Sequence, residues 1–177
     1  PYSGNLSKRE VLRSFYSYIR EELGNTGAKI SADLFGMVTT NTDDLGIGQV
    51  LEDALIYFDY VSPMVYPSHY PTGFNGWNNP NAVPYDLINF VLNTAVKRAS
   101  ATSTVLFLPG SVAIASTTPQ MYTKEIIDIH KLRPWLQDFS LGKPSYGAKE
   151  VRDQIQATYD VGLTSWMLWD AANTYTV

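Results

Sequence analysis

The chain has 177 residues, of which 45% are hydrophobic and 17% are charged, a composition typical of a folded globular protein. With no cysteine, disulfides and thiolate zinc sites are excluded. A net charge of −4 without a basic cluster makes nucleic acid a poor candidate partner and favours an uncharged or polar small substrate. No apolar run approaches the roughly 20 residues that cross a bilayer, and no export signal is visible.

The first element predicted along the chain is a helix with a recognisable start. Ser7 followed by Glu10 forms a capping box ahead of apolar residues at helical spacing, and Gly24 offers a left-handed C-terminal cap. The chain itself begins with Pro, not Met. We therefore expect it to start inside a longer protein or after processing.

Strands and helices then alternate. The patterns predict strands over 29–38, 60–66, 132–139 and 163–170, and helices over 48–56, 84–96 and 148–159. Most strand centres are about 30 residues apart, which suits single βα units of a parallel sheet with a helix in each crossover. The sequence therefore predicts the α/β class.

The long middle interval carries a Ser/Thr-rich stretch with two short apolar runs, TVLFL and SVAIA, separated by Pro109 and Gly110. We interpret it as a hairpin-like insertion at about 100–120 in a single-domain chain, followed by a helix over 122–129. Alternatively, residues 104–109 form a core strand, which would shift every later strand by one place.

Alternating βα units can build an open doubly wound sheet or a (β/α)8 barrel. No glycine-rich phosphate-binding motif follows any strand, which argues against a nucleotide site and leaves no cofactor implied. A barrel places its site at the carboxyl ends of its strands, where the polar and aromatic residues of this chain accumulate. We therefore favour a TIM-type barrel, although four strands cannot close one.

Six segments cover most of the chain apart from 100–130: SADLFG, DLGIGQVLED, DYVSPMVYPSHY, NPN, RPWLQDF and SWMLWDAANTY. Together they resemble the DUF4015 type of glycoside hydrolase domain. The resemblance implies a barrel related to the α-amylase-like superfamily, mostly bacterial, of which this chain would be strands five to eight. It also implies a missing N-terminal half that carries a further carboxylate, an extracellular or cell-envelope location, and no activity for this fragment alone.

Glycosidic hydrolysis usually needs two carboxyl groups, about 5 Å apart for retention or roughly 6.5 to 9.5 Å apart for inversion. Strand alternation directs Leu34 towards the surrounding helices and Asp33 into the barrel, so Asp33 is the leading catalytic candidate. An aspartate capping a turn is the structural alternative. The superfamily analogy adds Asp138, although alternation turns Gln137 and not Asp138 inward; a loop salt link is its alternative.

Five residues are candidate substrate contacts. Aromatic rings can stack on sugar faces, but large aromatics are as often plain core. A buried amide without a structural partner would suit a sugar hydroxyl, and a histidine just past a strand can bind substrate or orient a carboxylate. The candidates are Tyr66, His69, Tyr70, Gln137 and Trp169.

The leading hypothesis is a glycoside hydrolase that acts on a polysaccharide or oligosaccharide. Its alternatives are a non-catalytic carbohydrate-binding module and a structural or interaction domain of a cell-envelope protein. No His/Asp/Glu spacing resembles a zinc or calcium site, so no metal is expected.

Overall fold

The computed structural model describes residues 5–106 and 120–176. Its first helix, α1 (Lys8–Leu23), begins with the predicted capping box: Ser7 Oγ accepts from the Glu10 N–H at 3.2 Å, and Glu10 Oε2 accepts from the Ser7 N–H at 2.7 Å. The predicted left-handed cap at Gly24 is wrong. Gly24 keeps right-handed helical angles (φ −60°, ψ −27°), and the first positive φ, 82°, falls at Gly27.

The remaining helices and strands alternate along the chain, except for one pair of strands in the middle. In order they are β1 (Ser31–Phe35), α2 (Leu51–Tyr57), β2 (Tyr60–Met64), α3 (Pro84–Ser100), β3 (Ser103–Leu106), β4 (Gln120–Thr123), β5 (Trp135–Gln137), α4 (Ala148–Asp160) and β6 (Met167–Trp169). Short 3-10 helices occupy several of the connections.

A four-stranded parallel sheet runs in the order β1-β2-β5-β6, so the predicted α/β class is confirmed. The pairing of β2 with β5 is sparse, and Pro63 explains it. The Val61 carbonyl and the Val65 N–H both form hydrogen bonds on the β5 side of β2. Pro63 lies midway between them, so its backbone nitrogen faces the same neighbouring strand. Because proline has no N–H, it cannot donate to the ladder on that side.

Strand β1 ends earlier than predicted, because a 3-10 helix over Gly36–Thr39 follows Phe35 directly. The turn requires glycine at position 36. A Cβ there would collide with the carbonyl group of Met64 on the neighbouring strand. The close approach of the two backbones therefore sets the end of β1.

The hydrophobic core lies between one face of the sheet and the helices. On that face Leu34, Val61 and Leu136 are no more than 1% exposed, and each such side chain stabilises the fold by roughly 1.5 to 3 kcal/mol. The helices pack in chain order, α1 on α2, α2 on α3 and α3 on α4. Helical side chains complete the core: Leu51, Ala54, Leu55, Leu87, Ile88, Val91, Leu92 and Ala157.

A buried ion pair ties this helical layer to the loop after β1. Arg98 of α3 donates from Nε and Nη2 to both carboxylate oxygens of Glu52 at 2.8 and 2.6 Å. Its Nη1 also donates to the carbonyl groups of Val38 and Asn41 at 2.6 and 2.8 Å. The guanidinium therefore fixes the loop that leaves the carboxyl end of β1.

The middle segment forms a separate antiparallel pair outside the four-stranded sheet, in which β3 pairs with β4. The SVAIA run, at 111–115, lies outside the described residues. The helix predicted over 122–129 is wrong. Lys124 instead donates from its backbone N–H to Thr102 and from Nζ to Ala99, while the Ile127 N–H bonds the Ala99 carbonyl at 3.0 Å, so this backbone is held by the end of α3.

Within the described ranges, none of the helices has the length and apolar character needed to cross a bilayer.

Candidate functional site

Asp33 lies on the face of the sheet opposite the helices, which we call the inward face. Side chains along β1 point alternately to the two faces of the sheet. Leu34 is buried against the helices, whereas Asp33 is exposed. Its register partner on β2 is Ser62. Strand alternation therefore predicted the direction of this carboxylate from the sequence.

The Asp33 carboxylate is held by one tryptophan. Trp135 of β5 donates its indole Nε1–H to Asp33 Oδ1 at 2.9 Å, and the indole has no acceptor to offer in return. No described residue bonds Oδ2. Because Oδ1 is occupied by a fixed donor, the carboxylate is oriented with its second oxygen available on the inward face.

Two tryptophans form the far side of the site. Trp169 of β6 is 44% exposed, and its ring meets that of Trp135 edge to face, with centroids 5.9 Å apart and planes at 83°. The structure thus brings Trp169, a predicted substrate contact, next to the residue that holds Asp33. A flat, half-exposed indole is a suitable surface for an apolar sugar face.

Tyr66 and His69 form the near side, after β2. Tyr66 meets His69 and Phe139 edge to face, at centroid distances of 5.3 and 5.4 Å. Burial, with a smaller contribution from the negative charge of Asp33, raises the pKa of Tyr66 to about 12. The phenol is therefore a neutral hydrogen-bonding group at physiological pH, and it lies within electrostatic reach of Asp33.

His69 is the exposed member of this aromatic group. Burial of part of its ring lowers the pKa of His69 below its ordinary value. At neutral pH the imidazole is therefore uncharged, and it can both donate and accept a hydrogen bond.

Gln137 faces inward as predicted, but its side chain is fully buried and already bonded. Its Oε1 accepts from the Ser68 N–H and Oγ–H at 3.0 and 2.9 Å, and its Nε2 donates to the Phe139 carbonyl at 2.8 Å. Gln154 of α4 bonds its backbone on both sides. The expectation that the amide lacks a structural partner is therefore wrong, and Gln137 anchors the loop that carries His69.

Tyr70 was predicted at the rim of the site, and the structure places it elsewhere. It is 6% exposed, belongs to the hydrophobic core and packs on Phe74 with ring centroids 4.7 Å apart. Burial raises the pKa of Tyr70. Its hydroxyl lies beside Gly36, so the side chain packs within the core and does not line the open inward face.

Asp138 is 4% exposed, and both of its carboxylate oxygens are bonded. Thr176 donates from its N–H to Oδ2 at 2.9 Å and from its Oγ–H to Oδ1 at 2.6 Å. The Asp138 N–H donates to the Trp169 carbonyl. This aspartate thus fastens the segment after β6 to the end of β5.

Trp135 and Phe139 complete the site and were not predicted as site residues. Alternation within RPWLQDF had turned both of them inward with Gln137, so the signal was present in the sequence. Among the residues that the structure describes, no group of three His, Asp or Glu side chains could hold a metal ion.

Comparisons with known proteins agree with this architecture. A family model described as "Putative glycosyl hydrolase domain" (DUF4015) matches residues 2–175. The fold is similar to the PgaB (BpsB) glycoside hydrolase domain from Bordetella bronchiseptica, with a TM-score of 0.55 and 16% identity over 92% of this chain. The chain spans 37% of that solved domain. No curated protein matches the sequence. Since the family model covers nearly the whole chain, the chain belongs to the DUF4015 family of putative glycosyl hydrolase domains.

Proposed function

We propose that these 177 residues form the carboxyl-terminal half of a glycoside hydrolase barrel, strands five to eight, and that Asp33 is one of its two catalytic carboxyl groups. The observation that carries the proposal is the Asp33 carboxylate, oriented by the Trp135 indole on the open inward face of a parallel sheet. In such barrels the site lies inside the ring, towards the carboxyl ends of the strands.

The chemistry needs a second carboxyl group across the scissile bond. Asp33 is the sole carboxylate on the inward face of the described residues that has an oxygen without a partner. Asp138 is the weaker candidate, since Thr176 occupies both of its oxygens. We therefore assign the second carboxyl group to the preceding half of the barrel, and give Asp138 the role of anchoring the segment after β6.

Asp33 Oδ2 faces the position of the glycosidic bond in this proposal. The Trp135 N–H keeps Oδ1 as an acceptor, so proton transfer or nucleophilic attack takes place at Oδ2. The identity of the partner carboxyl group and its distance from Oδ2 decide between an acid or base role and a nucleophilic role.

The substrate is an oligosaccharide or polysaccharide bound between two aromatic walls. Trp169 offers a flat half-exposed ring on one side, and His69 offers a neutral, exposed imidazole on the other, packed against the buried Tyr66 ring. Neutral groups beside stacking rings match sugar hydroxyls and the apolar faces of pyranose rings.

A carbohydrate-binding module is the second candidate. A specific observation favours it: the described inward face carries one available carboxylate, where hydrolysis needs two. In that case Trp169 and Tyr66 would bind a glycan without turnover.

The test compares Asp33→Asn with Asp86→Asn in the complete protein. Asp86 is an exposed aspartate in the first turn of α3, so it matches the chemical change away from the site. Loss of an acid, base or nucleophile at position 33 should lower kcat by about 10² to 10⁴ fold, while glycan binding is retained. Trp135→Phe, which removes only the indole donor, should lower kcat by a smaller factor.

Full turnover by Asp33→Asn on an identified substrate would remove Asp33 from the mechanism. If the wild-type protein binds glycans through Trp169 and shows no turnover on any of them, the binding module is the better description.

A further inference from the structure

A second polar group lies on the inward face, on the strands next to Asp33 and nearer the amino ends than Trp135. Arg133 precedes β5, and its backbone N–H donates to the Val61 carbonyl at 2.9 Å, which places it beside Ser62. Its guanidinium carbon lies 5.6 Å from the centroid of the Tyr60 ring. Since Asp33 pairs with Ser62 and Val61 pairs with Leu132, Asp33, Ser62 and Arg133 lie in one row of the sheet. We call Tyr60, Ser62 and Arg133 the floor patch.

The floor patch holds donors without acceptors. Arg133 Nε and Ser62 Oγ are both buried and have no hydrogen-bond partner among the described residues. No other nitrogen of the Arg133 guanidinium bonds a residue within the described ranges. Buried donors are nearly always bonded in native proteins, and a partly buried cation is unfavourable without an anion.

The nearby groups do not neutralise this cation. Asp33 is the nearest inward acid in the same row of the sheet, and its Oδ1 binds the Trp135 indole; it forms no ion pair with Arg133. Asp59, at the start of β2, binds Arg20 and Lys29. Tyr66 is neutral because burial raises its pKa to about 12, and Tyr60 offers the cation the face of its ring.

We propose that Arg133 pairs with the carboxylate of an aspartate or glutamate that points inward from the other half of the barrel. This inference rests on the proposed half-barrel architecture. Guanidinium and carboxylate match as planar forks, which makes a carboxylate the best partner for an unpaired arginine. The unpaired edges of the sheet, at β1 and β6, are where the completing strands would join.

A carboxylate on the substrate has the same chemistry, but its position fits less well. Arg133 is two residues before Trp135 on the same face, and so roughly 6 to 7 Å closer to the amino ends. Substrate reaches a barrel from the carboxyl ends, above Trp135, whereas the Arg133 Nε is buried beside Tyr60 and Ser62. The burial of this donor therefore favours a partner from the packed interior.

The test measures the unfolding equilibrium of the complete protein without substrate, so its outcome is independent of turnover. Arg133→Met keeps an apolar side chain over Tyr60 and removes the charge, and Arg152→Met, at an exposed position of α4, is the matched control. At pH 7 we expect Arg133→Met to lower the folding equilibrium constant about ten- to a hundredfold, and Arg152→Met to leave it nearly unchanged.

The pH dependence identifies the partner as a carboxylate. A carboxyl group paired with Arg133 has a lowered pKa when folded, so its stabilisation is present above the unfolded pKa of about 4 and is lost as the pH falls further. The difference between wild type and Arg133→Met should therefore shrink towards pH 3, and it should persist in an Asp33→Asn background. Arg133→Lys keeps the charge and should therefore retain most of the wild-type stability. It is the variant to measure if Arg133→Met does not fold.

Four outcomes would overturn the proposal. They are equal stabilities of the Arg133→Met and Arg152→Met proteins, a loss that does not change with pH, a pH-dependent loss that disappears with Asp33→Asn, and unchanged stability with weakened binding of uronic acid oligosaccharides. The last would move the partner from the protein to the substrate.

Discussion

The two faces of the parallel sheet are built from the same strands and have opposite characters. Towards the helices, Leu34, Val61 and Leu136 are essentially inaccessible to solvent; on the inward face, Phe35 and Trp169 are 40% and 44% exposed. The first face is completed by this chain's own helices. The second carries the oriented carboxylate, the aromatic rings and the unpaired arginine.

The two faces therefore contribute to different properties of the protein. Substitutions on the helix-facing side should change the free energy of unfolding, whereas substitutions of Asp33 or Trp169 on the inward face should change binding and turnover. The predictions below follow from that division, since each can fail on one face without failing on the other.

The largest effect on stability is expected at the buried ion pair. Arg98→Met leaves the fully buried Glu52 carboxylate without its partner and frees the loop after β1, so we expect a loss of about 3 to 5 kcal/mol in the free energy of unfolding. Urea denaturation at pH 7 measures it. Lys149→Met, in the exposed Lys149–Asp153 pair of α4, should lower the free energy of unfolding far less, because solvent screens this pair. Similar losses in the two variants would refute the difference.

The next effect compares the two faces directly. Leu136→Ala opens a cavity against the helices and should cost about 2 to 5 kcal/mol. Phe35→Ala, on a side chain that is already 40% exposed, should cost less than about 1 kcal/mol. Both values come from the same denaturation experiment. Equal costs would mean that the inward face at Phe35 is packed as tightly as the core.

Local patterns in the sequence were sufficient for the elements that depend on neighbours. The Ser7–Glu10 capping box and the alternation in SADLF each involve residues a few positions apart, and both are present in the structure. The helix predicted over 122–129 is absent because that prediction, too, used only neighbouring residues. Its apolar spacing is helical, but the backbone there bonds the distant end of α3.

The site depended on contacts that no local pattern contains. Trp135 and Asp33 are 102 residues apart, and Gln137 and Ser68 are 69 apart. Alternation told which way each side chain points but not which partner it meets. Gln137 and Asp138 therefore looked like site groups, although the first is bonded to Ser68 and the second to Thr176.

The smallest effect is expected at the amino ends of β1 and β2, where the Asp59 carboxylate accepts the Ile30 N–H at 3.1 Å. This backbone bond, helped by Lys29 and Arg20, holds the pKa of Asp59 below its ordinary value. A carboxyl group whose pKa is lower in the folded than in the unfolded protein stabilises the fold at pH values above the unfolded pKa. That contribution is lost as the pH falls through the folded pKa.

Thermal melts from pH 7 to about 3 should therefore show a small stability advantage of wild type over Asp59→Asn at neutral pH that shrinks in acid. Asp86→Asn is the control, with an exposed aspartate and no bond to a strand. An advantage that is constant over the whole range would contradict the role of the ionised carboxylate.

The most direct test of the central claim is a crystal structure of the complete Asp33→Asn protein with a bound oligosaccharide that the wild-type enzyme cleaves. The account predicts a sugar ring against Trp169, with the side chain of residue 33 about 3 Å from the glycosidic oxygen or the anomeric carbon. A substrate bound elsewhere, with its scissile bond out of reach of residue 33, would contradict the assignment of the inward face as the active site.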